Sequence, residues 1–203
     1  MKQKKLEIIL QQIPENPDPK PNLEQYPTPS FIAADMLYTA HSLDDIENKK
    51  ILDLGCGCGI FAIGAKLLGA KEVIGMDIDE KAIEIAREYA QDMKLDVEFQ
   101  VSEIKDFNEK GDTVLQNPPF GSQKTHADRP FLEKALALSS VTYSLHLSKT
   151  REFIEMLSNK LKSEITHTKQ YNFEIKHTFD FHRKEQKNFE VTMFRFTQNR
   201  GMT

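Results

Sequence analysis

Residues Lys50–Gly59 have the sequence KILDLGCGCG, and this stretch decides the fold. Its first half is apolar except for Lys50 at its start and Asp53, which is typical of a short strand buried on both faces. Glycines then occupy every second position, at Gly55, Gly57 and Gly59. They allow the backbone to turn tightly and allow a ligand to approach the main chain. A helical pattern follows directly, so this stretch predicts the first strand–turn–helix unit of a parallel α/β sheet.

Outward from this stretch, segments with strand and helix patterns alternate along the chain. Parallel strands joined by helices form sheets that helices cover on both faces. The last two strand patterns have no helix between them, which predicts a hairpin and hence one antiparallel strand near the sheet edge. We therefore predict a Rossmann-like α/β fold with about seven strands, mostly parallel, and helices on both faces.

The patterns also predict the bounds of the helices and strands. Helices are expected at residues 4–13, 30–46, 60–68, 80–93, 129–138 and 150–160, and strands at 50–54, 72–76, 97–101, 113–116, 141–147, 163–178 and 188–197. In the second helix, Ser30 is the expected N-cap, and Phe31, Ala34 and Leu37 have the spacing of one buried face.

The length of 203 residues suits one domain with a sizeable core and a small extension. Six of the nine prolines lie in residues 14–29, which predicts an extended, irregular segment. We assign residues 1–30 to an N-terminal helix and a proline-rich segment. Residues 31–203 are assigned to a single α/β domain.

The net charge of −4 argues against a protein that coats nucleic acid indiscriminately, but the charge is unevenly distributed. From Lys149 onward, 11 Lys and Arg outnumber 7 Asp and Glu, whereas the rest of the chain is acidic. Such an asymmetry can mark a nucleic-acid face or an ordinary solvated surface. The only cysteines, Cys56 and Cys58, are too few for a disulfide framework, and no Cys or His set completes a metal site around them. No apolar run approaches the ~20 residues of a membrane span, and we expect a cytoplasmic protein without a metal or a membrane.

A second carboxylate, Asp77, ends the next strand pattern, about 20 residues after the glycine run. In that place it can accept hydrogen bonds from both ribose hydroxyls of an adenosine-containing cofactor. The spacing differs from the Gly-x-Gly-x-x-Gly of dinucleotide sites, and Asp53 would repel a pyrophosphate. Asp53 could orient the ammonium of an amino-acid moiety, or it could be a structural acid that caps the following loop. We therefore predict S-adenosylmethionine rather than NAD, with Asp53, Gly55, Gly57 and Asp77 in its site.

The run Asn117-Pro118-Pro119-Phe120 follows the strand pattern at residues 113–116. Prolines lack an N–H and have a fixed φ, so this run is a stiff loop at the strand end. The Asn117 side-chain oxygen and the Pro118 carbonyl could then accept hydrogen bonds from a planar amine, such as that of adenine, cytosine or a glutamine amide. Phe120 offers a flat face on which a base can stack. Taken alone, the run could also be an ordinary Asn-Pro turn before a helix.

Taken together, these motifs resemble those of class I S-adenosylmethionine-dependent methyltransferases, and the Asn-Pro-Pro-Phe run is that of amino-methylating members. The chain is most similar to the methyltransferase-like family that makes N6-methyladenosine in small-subunit ribosomal RNA. The resemblance covers nearly the whole chain and includes segments outside the motifs, namely Leu23–Thr28, Met36–Thr39, Asp44–Asn48, Tyr143–His146, Thr150–Glu152 and Phe181–Lys184.

The resemblance implies a role for each part of the site. It implies that Gln25 and Thr28 close over the cofactor, and that Asp77 holds its ribose. Further contacts along the glycine run would come from Gly55, Cys58 and Ile60. The target base would be bound by Asn117, Pro118, Pro119 and Phe120. One position departs from the family, because Ser102, followed by Glu103, stands where an Asp often holds the cofactor's adenine amine. We expect Glu103 or packing to compensate.

Two cationic clusters are predicted to contact RNA phosphates. Lys124 and Arg129 follow the Phe120 loop, and Arg183 and Lys184 lie in the tail. Plain solvated loops are the alternative for both. The resemblance also implies a partner in some members, a small zinc-binding activator protein that adds a strand to the sheet edge.

Three other functions stay open at the level of sequence. A protein glutamine-amide methyltransferase uses the same loop, but such enzymes more often end it in Tyr and carry a recognition domain that this chain lacks. A DNA amino-methyltransferase would also need a recognition domain. A non-catalytic binding subunit could have retained the fold, although the intact Asn117–Phe120 run and Asp77 argue against it.

Overall fold

The computed structural model describes residues 1–20, 26–120, 127–174 and 188–198. In this part of the chain, six α-helices surround a seven-stranded sheet. The helices are α1 (Gln3–Leu10), α2 (Ser30–Ser42), α3 (Ile60–Leu67), α4 (Glu80–Asp92), α5 (Arg129–Leu138) and α6 (Arg151–Lys160). The strands are β1 (Lys50–Leu54), β2 (Glu72–Asp77), β3 (Glu98–Val101), β4 (Thr113–Gln116), β5 (Val141–Leu147), β6 (Ser163–Glu174) and β7 (Asn188–Gln198).

The strand order across the sheet is β3-β2-β1-β4-β5-β7-β6. All neighbouring pairs from β3 to β5 are parallel, and β7 is antiparallel to both β5 and β6. The predicted fold is therefore confirmed, including one antiparallel strand beside the edge. The register pairs Leu54 with both Met76 and Gln116, and Gln116 with Ser144. The carboxyl ends of four strands consequently meet at one edge, where ligands bind in open α/β sheets.

The central strands are apolar because both faces of the sheet are covered. Ile51 of β1 belongs to a cluster that includes Leu6 of α1 and Leu37 of α2. Its neighbour Leu52 points to the opposite face and packs with Ala135 of α5. Each such side chain contributes roughly 1.5–3 kcal/mol when fully buried, so the alternation within β1 fixes the sheet between two helical layers.

Helix α2 differs from its prediction at both ends and in its buried face. Pro29, not Ser30, is the N-cap, and the helix ends at Ser42 instead of Ile46. Asp44 has φ +59°, and the Asp45 N–H donates to the Ala40 carbonyl, which is a left-handed turn that closes a helix. Ala34 and Leu37 are completely buried as predicted, whereas Phe31 is 44% exposed, because the buried face extends to Ile32, Ala33 and Met36 instead.

The two long C-terminal strands begin where they were expected. The sequence predicted strands at residues 163–178 and 188–197, and β6 and β7 occupy 163–174 and 188–198. Residues 175–178 lie outside the described residues.

Candidate functional site

The glycine loop after β1 turns back onto the end of β2. Gly55, Gly57 and Gly59 have φ values of +70°, +52° and +87°, which L side chains rarely adopt. The N–H groups of Gly55 and Cys56 donate to the Met76 carbonyl at 2.8 and 2.9 Å. The loop is therefore held by main-chain bonds and exposes its backbone at the carboxyl edge, as a cradle for a ligand requires.

Asp77 is fixed by two main-chain donors at the end of β2. The N–H of Gly57 donates to its Oδ2 at 2.8 Å, and the N–H of Asp79 donates to its Oδ1 at 2.9 Å. Burial raises the pKa of this carboxyl, and the two hydrogen bonds oppose the rise. Each carboxylate oxygen has a further acceptor site. The geometry is compatible with a carboxylate that also accepts hydrogen bonds from two ribose hydroxyls.

Asp53 is completely buried in β1, beneath the glycine loop. Its Oδ2 accepts a hydrogen bond from the Ala62 N–H of α3 at 2.8 Å, so the side chain does serve the loop and helix that follow it. Its Oδ1 has no hydrogen-bond partner within the described ranges, and burial raises the pKa of the carboxyl to about 8. A buried acceptor without a donor is costly. The unpaired oxygen therefore fits a site that receives a cationic or hydrogen-bonding group from a ligand.

The N-terminal segment is tied to the glycine loop and to the start of α4. Asn16 Nδ2 and Lys20 Nζ donate to the Asp79 carboxylate at 3.0 and 2.9 Å. The Asn16 main chain also interacts with the Cys58 thiol, whose pKa burial raises to about 11. Asp79 also caps α4, because its side chain accepts a hydrogen bond from the Lys81 N–H. It was not predicted from the sequence, although an Asp directly before a helical pattern indicates an N-cap.

The end of β3 faces the same edge. Ser102 Oγ donates to the Glu103 carbonyl, and the Glu103 carboxylate pairs with Lys105 at 2.8 Å. Ile78 and Val101, each 47% exposed, are large apolar side chains beside these residues. Neither residue was predicted from the sequence. The pattern that could have identified them is an apolar residue at the end of a strand or directly after it. If the adenine of the cofactor is held by packing rather than by an acid at position 102, these two side chains provide the surface for it.

The two halves of the Asn117 amide have different surroundings. Its Nδ2 donates to Thr28 Oγ1 at 2.9 Å, which fixes the orientation of the amide. Its Oδ1 is buried and has no partner among the residues that the structure describes. Pro118 is buried, whereas Phe120 is partly buried and packs against the core cluster of α1–α3. The loop thus holds a fixed acceptor beside an aromatic ring that the core supports.

The remaining predicted residues are placed as follows. Ile60 begins α3 and packs partly against the core, so its side chain belongs to the loop–helix junction. Arg129 begins α5, and its guanidinium pairs with Glu133 at 2.8 Å on the surface. Gln25, Lys124, Arg183 and Lys184 lie outside the described residues.

The described ranges contain neither a metal-binding cluster nor a membrane-spanning helix. Within residues 1–20, 26–120, 127–174 and 188–198, no group of three or more His, Cys, Asp or Glu side chains could hold a metal ion. Among the helices of the same ranges, none has the length and apolar character needed to cross a membrane.

A family model matches the part of the chain that carries the cofactor motifs. Residues 36–118 match the model of ribosomal protein L11 methyltransferase (PrmA). This range contains the glycine run, Asp77 and the first two residues of the Asn117–Phe120 run. It ends before α5 and the C-terminal strands.

Other proteins match the chain almost from end to end. The rRNA N(6)-adenosine-methyltransferase METTL5 of Danio rerio is 40% identical over 205 residues, which cover 97% of this chain and 99% of that protein. The Drosophila melanogaster protein of the same name is 37% identical over 97% of this chain and 96% of its own length. The crystal structure of PH1948, a candidate RNA methyltransferase from Pyrococcus horikoshii, is 42% identical with a TM-score of 0.91, and the match covers 98% of both chains. The sequence resemblance is thereby confirmed, and the chain belongs to the METTL5 family of rRNA N(6)-adenosine-methyltransferases.

Proposed function

We propose that this protein transfers the methyl group of S-adenosylmethionine to the N6 amine of an adenine in small-subunit ribosomal RNA. The full-length similarity to two rRNA N(6)-adenosine-methyltransferases supports the substrate class. Within the structure, the observation that carries the proposal is the Asn117 amide, whose nitrogen is bound by Thr28 while its buried oxygen has no partner in the described part of the chain.

The unpaired oxygen of Asn117 suits the chemistry of an adenine amine. This amine is a poor nucleophile because its lone pair is delocalised into the ring. Asn117 Oδ1 and the Pro118 carbonyl would accept its two N–H groups and thereby favour a pyramidal nitrogen with a localised lone pair. The stiff loop would also hold the nitrogen in line with the methyl group, and such orientation is worth up to ~7–11 kcal/mol in favourable cases.

The residues on the cofactor side fit S-adenosylmethionine. When bound, this cofactor supplies an electrophilic methyl group on a sulfonium. Asp77 would hold the ribose, and the backbone at Gly55 and Gly57 would lie along the amino-acid moiety. Asp53 is completely buried, so it would act on the ammonium through water or through the loop. Gln25, Thr28, Cys58, Ile60, Ser102 and Glu103 remain predicted cofactor contacts.

The reaction needs no general base before attack, because the proton is lost from a strongly acidic methylated amine. An adenine inside a duplex would first have to leave the stack, which costs a few kcal/mol. Stacking on Phe120 would offset about 1–3 kcal/mol of that cost. The core contact behind Phe120 supports this role, since a ring held from behind keeps its orientation.

Two parts of the proposal concern the partners. Lys124, Arg129, Arg183 and Lys184 would contact RNA phosphates, with Arg129 exchanging its Glu133 partner for a phosphate. A small zinc-binding activator protein would add a strand beside β3 or β6, the two edge strands of the described sheet. An rRNA substrate is compatible with the cytoplasmic location expected from the sequence.

The experiment is methyl transfer from labelled S-adenosylmethionine to total small-subunit rRNA from a strain that lacks this protein, followed by nucleoside digestion and mass spectrometry. We expect N6-methyladenosine with the unchanged protein, and at least a 100-fold loss with Asn117→Ala, by analogy with the removal of one transition-state hydrogen bond. Cofactor affinity should be nearly unchanged in this variant. Asn159→Ala, at an exposed position on α6, is the matched control and should retain full activity.

Other outcomes separate the alternatives. Methyl transfer to a ribosomal protein glutamine instead of RNA would replace the proposed substrate. Cofactor binding without transfer to either class calls for the same assay with the zinc-binding activator added. The absence of cofactor binding in a folded protein would contradict the proposal and favour a non-catalytic binding subunit.

A further inference from the structure

A chain of four buried polar side chains runs beneath the Asn117 loop. Gln116 Nε2 donates to Ser144 Oγ at 2.9 Å, Ser144 Oγ lies 2.7 Å from His146 Nε2, and His146 Nδ1 lies 2.8 Å from Asp128 Oδ2. Gln116, Ser144 and His146 are completely buried, and Asp128 is 5% exposed. We call these four residues the buried relay.

The partners of the buried relay are compatible with one direction of donation. The amide nitrogen of Gln116 can only donate, so Ser144 Oγ accepts from it and can donate its own proton to His146 Nε2. His146 Nδ1 then donates to the Asp128 carboxylate. Every one of these three bonds is satisfied with a neutral imidazole that carries its proton on Nδ1. Gln116 Oε1 is buried and has no partner among the described residues, so the three bonds of the chain hold its members through one side of the Gln116 amide.

Asp128 occupies the N-cap position of α5 but does not cap it. An Asp in that place normally accepts a hydrogen bond from the first turn of its own helix. The Asp128 side chain makes no such bond, and its Oδ2 lies against His146 Nδ1 instead. The contact to His146 therefore takes the place of the local stabilisation that an N-cap gives its own helix.

The buried relay joins the two elements on either side of the target-base loop. Gln116 ends β4 and directly precedes Asn117, and Asp128 directly precedes α5. The first turn of α5 also carries Phe131, whose ring packs on the cofactor loop. A Cβ at Gly55 would lie only 3.1 Å from Phe131 Cε1. The position of α5 is thus coupled to both loops, to the target-base loop through the buried relay and to the glycine loop through Phe131.

We propose that the buried relay positions Asn117 for methyl transfer, with Ser144 and His146 as positioning residues that fix the start of α5 against the end of β4. This inference rests on the proposed function for its kinetic consequence. Its structural consequence, an Asn117 amide whose surroundings depend on Ser144 and Asp128, does not.

The test compares two buried hydroxyls on the same face of β5. Ser144→Ala breaks the relay. Thr142→Val removes a hydroxyl two residues away that lies 3.1 Å from Ser139 Oγ and is not a member of the relay, and so serves as the matched control. We expect Ser144→Ala to lower kcat roughly tenfold, since small misplacements of reacting groups are costly. The cofactor Kd and the KM for RNA should stay within about twofold, and Thr142→Val should leave kcat within about twofold.

A second pair of variants keeps the test independent of folding. Asp128→Ser supplies a good N-cap for α5 but is too short to reach His146, whereas Asp128→Asn keeps an acceptor. We expect a loss of kcat with the Ser variant and a partial rescue with the Asn variant. Equal activity of the two variants would overturn the inference, because α5 would then need only a cap.

A readout without RNA distinguishes this inference from the proposed function. In ¹⁵N-labelled protein, we expect His146 to be neutral with its proton on Nδ1. The side-chain amide resonances of Asn117 should shift in Ser144→Ala and Asp128→Ser but not in Thr142→Val. If those resonances are unchanged in both relay variants, the positioning role is wrong. If they shift while the unchanged protein methylates no RNA, the relay holds and the proposed substrate fails.

Discussion

Both the cofactor end and the target-base end of the site contain a buried acceptor that has no partner among the described residues, but only one of these two acceptors belongs to a group that can ionise. At the cofactor end it is Oδ1 of the Asp53 carboxyl, whose pKa burial raises to about 8, and at the target-base end it is Oδ1 of the neutral Asn117 amide. The difference matches the proposed ligands, since the amino-acid moiety of the cofactor carries an ammonium and the adenine amine is neutral. A charged acceptor at the second position would hold a cation rather than leave a neutral amine free to attack.

The two ends are also held by different kinds of bond. At the cofactor end, main-chain N–H groups hold the loop and Asp77 over short stretches of sequence. At the target-base end, the loop is held by side chains that are far apart in the sequence, since Thr28 and Asn117 are separated by 89 residues. We infer that the geometry of the cofactor end tolerates side-chain substitutions, whereas its stability depends on pH. At the target-base end, the geometry is sensitive to side-chain substitutions and the stability does not depend on pH in this way.

The largest expected effect concerns the pH dependence of stability without cofactor. Asp53 has a pKa raised to about 8 by burial, against about 3.9 in the unfolded chain. Its contribution is therefore fully present below pH ~4 and is lost as the pH rises toward 8, at up to about 1.4 kcal/mol per pH unit. Asp53→Asn should flatten this part of the curve.

Denaturant unfolding at several pH values from 4 to 9, on both proteins, measures the difference. All other titrating groups are common to the two, so parallel curves would show that Asp53 is not the buried charge at the cofactor end.

The next effect concerns cofactor affinity. Asp77→Ala removes the acceptor of two main-chain donors and of the predicted ribose contact. Each hydrogen bond to a charged group is worth about 1.5–3 kcal/mol, so the cofactor Kd should rise roughly 10- to 100-fold. Titration calorimetry measures the change, with Asp92→Ala at an exposed position on α4 as control. An unchanged Kd would remove Asp77 from the cofactor end.

A smaller effect separates two glycines of the same loop. A Cβ at Gly59 would lie 2.9 Å from Phe99 Cζ and 3.2 Å from Ala86 Cβ, whereas at Gly57 nothing lies within 4 Å. Both have positive φ, so the strain of a left-handed alanine is common to both. Gly59→Ala should be less stable than Gly57→Ala by about 1–3 kcal/mol, the cost of overpacking. Equal melting temperatures would show that the loop yields at Gly59.

The smallest effect tests the bond that orients the Asn117 amide. Thr28→Val removes the acceptor of Asn117 Nδ2, and one neutral hydrogen bond is worth about 0.5–1.5 kcal/mol. We expect kcat to fall roughly three- to tenfold, and Thr28→Ser to retain activity because it keeps the hydroxyl. Single-turnover rates at saturating cofactor measure this, and equal rates for the Val and Ser variants would refute the orienting role.

The sequence predicted what depends on local pattern and missed what depends on distant side chains. The strand–glycine–helix order and the acid at residue 77 are local, and the fold and family that they predicted are confirmed. The end of α2 was predicted wrongly because Asp44 adopts a left-handed turn that no residue type there requires. Asp79 and Thr28 acquire their contacts from segments 59 to 89 residues away, which no spacing in the sequence reveals.

The antiparallel strand β7 has a consequence for the order in which a nascent chain becomes active. It lies beside β5 and pairs with it from Val141 to Leu147, so Ser144 and His146 gain their second neighbouring strand only when β7 has been made. The glycine loop and Asp77 are synthesised more than 100 residues earlier. At about 5–20 residues per second, the cofactor half precedes the target-base half by on the order of ten seconds. A growing chain could hold its methyl donor during this interval, while methyl transfer waits for the last strand.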